Sequence, residues 1–225
     1  MDTKTDKLTI GYAGTLNAFQ ARPGAPKWRN VLRNWFWLYR AENINFHTRS
    51  GYYLFRGIAA LAREYPEAAR QLEVQLWGRI DPVNQIQVQE MGIQEIVRIE
   101  GYMTKAETVA RLNRCDALFL PLESEKEGQK PLFIPGKLYE YLNLRKPVLA
   151  LAGPSDCRDI LMESGLGIVC DPFDETEIAA ALRQLILDRD QLAQRFQPNE
   201  PYIEGFRFEK ITRRLAGIFD TVLDR

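Results

Sequence analysis

The sequence predicts an α/β fold: a doubly wound parallel sheet of about six strands with helices on both faces. Three observations carry this expectation. From residue 70 onward, short apolar runs alternate with stretches of helical periodicity. The runs are apolar nearly throughout, as strands covered on both faces are, and lack the apolar–polar alternation of a half-exposed sheet. The helical stretches carry their own start and stop signals.

In chain order, the strand candidates are Leu8–Ala13, Glu73–Trp77, Ile96–Ile99, Ala117–Pro121, Val148–Leu151 and Gly167–Cys170. Helical patterns cover Tyr52–Tyr65, Pro82–Met91, Lys105–Asn113, Gly136–Asn143, Cys157–Ser164 and Glu175–Leu187. Thr104 with Glu107 reads as a capping box that starts a helix after Met103. Gly165 reads as a helix stop. Such an alternation is Rossmann-like, and it places a domain at 8–190 after an N-terminal tail of residues 1–7. Residues 191–225 form a linker broken by proline at 197–201 and an amphipathic helix over Phe206–Leu223. Residues 17–50 are too long for an ordinary connection. They hold Trp28, Val31, Leu32, Trp35 and Tyr39 at helical spacing, with Arg22, Lys27, Arg29, Arg33 and Arg40 against Glu42. This Trp-rich basic insertion has three readings: a cap on the sheet, a contact with another domain, or a peripheral contact with an anionic membrane.

Composition narrows the function. The 225 residues are 45% hydrophobic and 27% charged, enough for a substantial core. Thirty basic residues balance thirty acidic ones, which argues against a nucleic-acid partner held by bulk charge. No run approaches the roughly 18 apolar residues of a membrane span. Cys115, Cys157 and Cys170 are far apart and form no CxxC pair, so they read as reduced core cysteines of a cytoplasmic protein. His47 is the only histidine, which speaks against a structural zinc site or a histidine-based triad.

In an open parallel sheet, ligands bind beyond the carboxyl ends of the strands, so the residues after each strand are the candidates. Gly14-Thr15 follows the first strand and can present backbone N–H groups to a phosphate, although the GxGxxG fingerprint of dinucleotide binding is absent. Pro135-Gly136 opens a helix whose free N–H groups and dipole favour an anion. Lys137 adds a point charge there, and Glu140 one turn on can accept both hydroxyl protons of a ribose. Spacing alone leaves two readings of the last two: a nucleotide footprint, or a Lys–Glu ion pair on a solvated helix.

The run Ile134-Pro135-Gly136-Lys137-Leu138-Tyr139-Glu140-Tyr141, followed by Arg145-Lys146-Pro147-Val148, resembles the donor-binding signature of GT-B glycosyltransferases of the retaining family 4 type. The likeness extends over residues 8 to 190: the opening strand with Gly14-Thr15, the helix and strand of residues 58–78, the segment 97–122, and the closing strand and helix of 160–182. It implies the C-terminal, nucleotide-sugar-binding domain of a transferase that moves a sugar to a glycan or lipid-linked glycan, as in polysaccharide biosynthesis. Glu140 would bind ribose, Arg49 and Lys137 the diphosphate, Gly14 and Thr15 the phosphates or sugar, and Gly101, Tyr102 and Met103 the base. No metal or other cofactor is implied, since protein charges stabilise the departing diphosphate. An N-terminal acceptor domain, absent from this chain, is implied as well, with the enzyme cytoplasmic or peripheral at the inner membrane face. Two departures stand out. The sugar-facing glutamate of the family, eight residues before the ribose glutamate, is here Leu132, and Glu123, Glu125 and Glu127 lie upstream without its spacing. The arginine of the usual phosphate clamp has no clean counterpart. A non-catalytic nucleotide-sugar-binding subunit and a GT-B-fold epimerase are the alternatives.

Overall fold

The computed structural model describes residues 6–16, 46–124, 131 and 133–223. The insertion of residues 17–45, most of the acidic-basic loop at 125–130, and Leu132 lie outside the described residues, as do Met1 to Thr5. Six parallel strands form one sheet in the order β3-β2-β1-β4-β5-β6. They are β1 (Leu8–Leu16), β2 (Leu72–Ile80), β3 (Val97–Glu100), β4 (Ala117–Pro121), β5 (Val148–Leu151) and β6 (Gly167–Cys170). The helices are α1 (Tyr52–Glu64), α2 (Pro66–Ala69), α3 (Pro82–Glu90), α4 (Lys105–Arg114), α5 (Gly136–Leu144), α6 (Asp156–Glu163), α7 (Glu175–Leu187), α8 (Leu192–Arg195), α9 (Glu200–Glu204) and α10 (Phe208–Leu223).

The doubly wound sheet expected from the sequence is therefore present, and its strand order reverses between β1 and β4. Alternation along each strand sorts the core into two layers. Ile10 and Tyr12 of β1, Val74 and Leu76 of β2, and Phe119 of β4 pack on the face covered by α1 and α7. Trp77, Leu118, Leu120, Val148 and Ala150 pack with Leu138, Tyr141 and Leu142 of α5 and Leu161 of α6 on the other. Gly57 lets α1 approach α7, because a Cβ there would collide with Ile178.

Two strands outrun their apolar cores. β1 and β2 stay in register from Leu8↔Leu72 to Leu16↔Ile80, through a Gly14↔Gly78 step. The apolar run of β1 ends at Ala13, yet ladder hydrogen bonding carries the strand on through Gly14 and Thr15. Local signals hold elsewhere. The Thr104–Glu107 capping box forms in both directions at the start of α4. Gly165 adopts φ +74° after α6.

The tail is tied back through Arg145, a left-handed residue (φ 56°) after α5. Its guanidinium donates to both Glu200 carboxylate oxygens at 2.9 and 3.0 Å and to the Leu142 carbonyl at 2.7 Å. Beyond α9, the helix α10 exposes Phe208, Ile211, Leu215, Ile218, Phe219 and Val222 along one stripe. Among the described residues no helix is long and apolar enough to cross a membrane. The three cysteines are free and buried. Burial pushes the thiols of Cys115 and Cys170 up to about 12 and that of Cys157 up to about 11, which keeps them protonated and inert at neutral pH.

Candidate functional site

The carboxyl ends of β1 and β4, where strand order reverses, meet the start of α5. Gly14 and Gly78 stand side by side there, at φ +148° and +115°. A Cβ on Gly78 would run into the Gly14 carbonyl, and a Cβ on Gly14 would run into the end of the Lys137 side chain. Two glycines thus let the strands close up while leaving a channel that Lys137 occupies. Glycine at these two steps answers both to backbone angle and to space.

Lys137 lies in the first turn of α5, whose N-cap is Pro135 and whose first turn holds no side-chain cap and no acidic residue. The amide ends of this helix are left for an anion. The ammonium of Lys137 sits 5.1 Å from the ring centroid of Tyr12. Burial lowers the Lys137 pKa, the nearby Arg49 charge pushes it the same way, and Glu140 opposes both. Tyr12 is buried, its hydroxyl donates to the Thr15 carbonyl at 2.9 Å, and burial raises its pKa. The residue beneath Lys137 therefore stays neutral and also fixes the end of β1.

Two concavities meet at Thr15. On the β2–β3 side is an open cleft of about 730 Å³ bounded by Gly14, Thr15, Gly78, Arg79, Tyr102, Met103 and Glu140. Tyr102 is 88% exposed at its rim. The floor includes Trp77, with the Arg111 guanidinium 5.7 Å from its ring centroid. On the β4 side is a narrow pocket of about 70 Å³ that brings Arg49, Glu123 and Lys137 together, with Tyr12, Thr15 and Phe133. Thr15 borders both.

Arg49 ends a short 3-10 turn over Phe46–Arg49 that precedes α1. The Thr48 hydroxyl accepts from the Ser124 amide at 3.3 Å, and the Asn84 side chain accepts from the Gly51 amide at 3.0 Å. These bonds anchor the turn to the exit of β4 and to the first turn of α3. The guanidinium lies 3.8 Å from the Glu123 carboxylate and 5.7 Å from the Phe133 ring centroid.

Of the residues singled out in the sequence, Gly14, Thr15, Tyr102, Met103 and Glu140 surround the wide cleft. Thr15, Arg49, Pro135 and Lys137 surround the narrow pocket. Gly136 opens α5 without lining either, and nothing lies within 4 Å of a Cβ built on it. Gly101 acts through its carbonyl, which accepts from the Gly78 amide at 3.2 Å. His47 lines neither pocket and packs on Tyr52, centroids 5.0 Å apart. Sequence reading missed Tyr12, Gly78, Arg79 and Phe133. For Gly78 and Arg79 the signal was present, since Gly78-Arg79 directly follows the apolar run Glu73–Trp77. Tyr12 and Phe133 gave none, because each joins the site through contacts distant in sequence. Among the described residues no cluster of three or more His, Cys, Asp or Glu is placed to hold a metal ion.

No curated protein matches the chain. Solved structures share the fold. Sucrose-phosphate synthase from Thermosynechococcus elongatus superposes with a TM-score of 0.58 at 15% identity, over 76% of this chain and 42% of its own. HepE of Anabaena, in complex with UDP and glucose, gives 0.57 at 16% identity over 96% of this chain and 49% of its own. The pneumococcal O-GlcNAc transferase GtfA, in complex with UDP and GlcNAc, gives 0.53 at 11% identity over 99% and 38%. The chain thus spans less than half the length of each, and its sheet matches one half of a GT-B fold. A family model described as glycosyl transferases group 1 matches residues 43–188. The chain belongs to the group 1 glycosyl transferases.

Proposed function

We propose that residues 8–190 are the donor-binding domain of a sugar transferase, the C-terminal half of a GT-B enzyme that takes a nucleoside-diphosphate sugar. The observation that carries this reading is the placement of Lys137 and Glu140 one turn apart at the start of α5, beside the strand-order reversal. A base enters the wide cleft between Tyr102, Met103 and Arg79, and its ribose hydroxyls donate to Glu140. The diphosphate lies beside Gly14 and Thr15, where the end of the Lys137 side chain crosses Gly14, and meets Lys137, Arg49 and the free amides of α5. As the bond from the sugar to the diphosphate breaks, negative charge grows on the departing phosphate oxygen. Fixed positive groups already aimed at it stabilise that charge without reorganising. The acceptor, a glycan or lipid-linked glycan, is bound by a further domain outside this chain, as the length of the solved relatives suggests. HepE and the pneumococcal GtfA, both determined with UDP, make UDP the first nucleotide to try.

The test is calorimetric titration of the chain with UDP, GDP and ADP, beside Glu140→Ala. One diphosphate should bind, and the variant should lose about 1–3 kcal/mol, roughly 5- to 150-fold in affinity, as a charge-assisted contact to the ribose disappears. Absence of binding by all three to the folded chain refutes the reading. Binding that Glu140→Ala leaves untouched refutes the ribose assignment.

A further inference from the structure

The narrow pocket holds a carboxylate that the diphosphate does not need. Glu123 follows the end of β4 and is fixed on both sides. The Leu122 amide donates to the Leu151 carbonyl at 3.1 Å, one step beyond the β4–β5 ladder. Ser124 is buried, with its amide donating to Thr48 and its hydroxyl accepting from the Gly153 amide at 2.8 Å. The side chain between them is 18% exposed, yet its contact with a protein charge is the 3.8 Å approach of Arg49, too long for a hydrogen bond. Among the described residues its carboxylate receives no hydrogen bond. A mostly hidden carboxylate with unfilled acceptor positions is costly unless a ligand fills them.

We infer that Glu123 reads the hydroxyls of the transferred sugar, and that Arg49 passes from Glu123 to the diphosphate when the donor binds. The inference rests on the donor-site reading above and extends it to the sugar. A diphosphate offers Arg49 two parallel acceptors at hydrogen-bond length, a better partner than a carboxylate held at 3.8 Å. Once Arg49 turns, Glu123 has only acceptors to offer and needs donors. Sugar hydroxyls on neighbouring carbons are donors of that kind, and the sugar is joined to the phosphate that Arg49 and Lys137 hold. Phe133, 56% exposed at the mouth of the same pocket, presents an apolar face suited to the C–H face of a pyranose. Glu123 stands 17 residues before Glu140 and lines the pocket from the exit of β4.

The test compares each nucleoside diphosphate with its sugar: UDP with UDP-glucose and UDP-GlcNAc, GDP with GDP-mannose, ADP with ADP-glucose. Titrations use the full chain, Glu123→Gln and Glu140→Ala. The unsubstituted chain should hold one sugar nucleotide roughly tenfold or more above its diphosphate, the scale of a hydrogen bond to a charged group. Glu123→Gln should bring that ratio close to one while the diphosphate binds at least as tightly, because Arg49 is released. Glu140→Ala should weaken diphosphate and sugar nucleotide together and keep the ratio. A ratio that Glu123→Gln leaves intact overturns the sugar assignment alone, as does a ratio of one in the unsubstituted chain. Failure of every diphosphate to bind overturns the donor site, and the sugar assignment with it.

Discussion

The two hollows that share Thr15 are built by different means. The wide cleft takes its shape from backbone: Gly14 and Gly78 hold left-handed angles next to each other, and the Gly101 carbonyl receives the Gly78 amide. The narrow pocket takes its character from charge: Arg49, Lys137 and Glu123 converge in little space, on side chains from three separate segments. Shape built from backbone is part of the folding free energy, so damaging it costs stability. Charge built from side chains is expensive to assemble and is recovered when a ligand arrives, so damaging it costs binding.

The largest expected effect tests the first half of that contrast. In Gly78→Ala, a residue with a Cβ must adopt φ +115° while that Cβ meets the Gly14 carbonyl. Strain of this kind costs about 1–3 kcal/mol before any clash is counted. Urea denaturation should show a loss of about 3 kcal/mol, and Tm should fall by roughly 6–12 °C for a domain of this size. Gly14→Ala carries similar backbone strain, but its Cβ meets the flexible end of Lys137. It should lose less stability and more nucleotide affinity. Equal stability of Gly78→Ala and the unsubstituted chain would mean that β1 and β2 separate easily at this step, and the contrast would fail.

The same contrast decides what could be read from the sequence. The doubly wound sheet was legible because most of its strands hold a short apolar run, and such runs need only local inspection. α4, with its capping box, and α7, from Glu175 to Leu187, were placed within a residue for the same reason. The extension of β1 over Gly14 to Leu16 was not legible, since it depends on a nine-residue ladder with β2 and not on hydrophobicity. In the site, Lys137 and Glu140 stood out because one helix turn joins them in sequence and in space. The approach of Arg49 to Glu123 spans 74 positions and is made by the anchoring of a turn to the exit of β4 through Thr48 and Ser124. No periodicity reports such a contact. Sequence order also gave no hint that Tyr12, an inward residue of a central strand, would hold up a lysine.

The second prediction concerns that lysine. Lys137→Met keeps most of the side-chain volume over Gly14 and removes the charge. Affinity for the nucleoside diphosphate should fall about 10- to 100-fold, with folding little affected. Proton linkage gives a sharper form of the test. In the empty site burial holds the Lys137 pKa below its ordinary value. A bound diphosphate raises it, so binding takes up a proton wherever the empty site is already partly neutral. Affinity is then full below the free-site pKa and declines as pH rises from there toward the pKa of the complex. For folding the sign is opposite: the unfolded chain binds this proton more tightly, so stability rises with pH between the two values. Calorimetry in buffers of different ionisation enthalpy should detect the uptake, and Lys137→Met should abolish it. Uptake that persists in the variant would assign the proton to another group.

The smallest effect separates Tyr12 as a ring from Tyr12 as a hydroxyl. The ring centroid lies 5.1 Å from the Lys137 ammonium, and the hydroxyl donates to the Thr15 carbonyl. A cation over an aromatic face in a partly desolvated place is worth about 0.5–2 kcal/mol. Tyr12→Phe keeps the ring and should leave the proton uptake on diphosphate binding unchanged, with a modest loss of stability from the missing hydrogen bond. Tyr12→Leu removes the face, so the ammonium in the empty site loses its stabilising partner and the Lys137 pKa falls further. Proton uptake should then begin at lower pH, and the decline of affinity with rising pH should begin at lower pH with it. A structural role alone would lower Tm in both variants and leave the pH profile where it was. A shift confined to Tyr12→Leu ties the buried strand to the charge above it: the ammonium at the start of α5 would be held in its charged form by one aromatic ring on the strand where the sheet order turns.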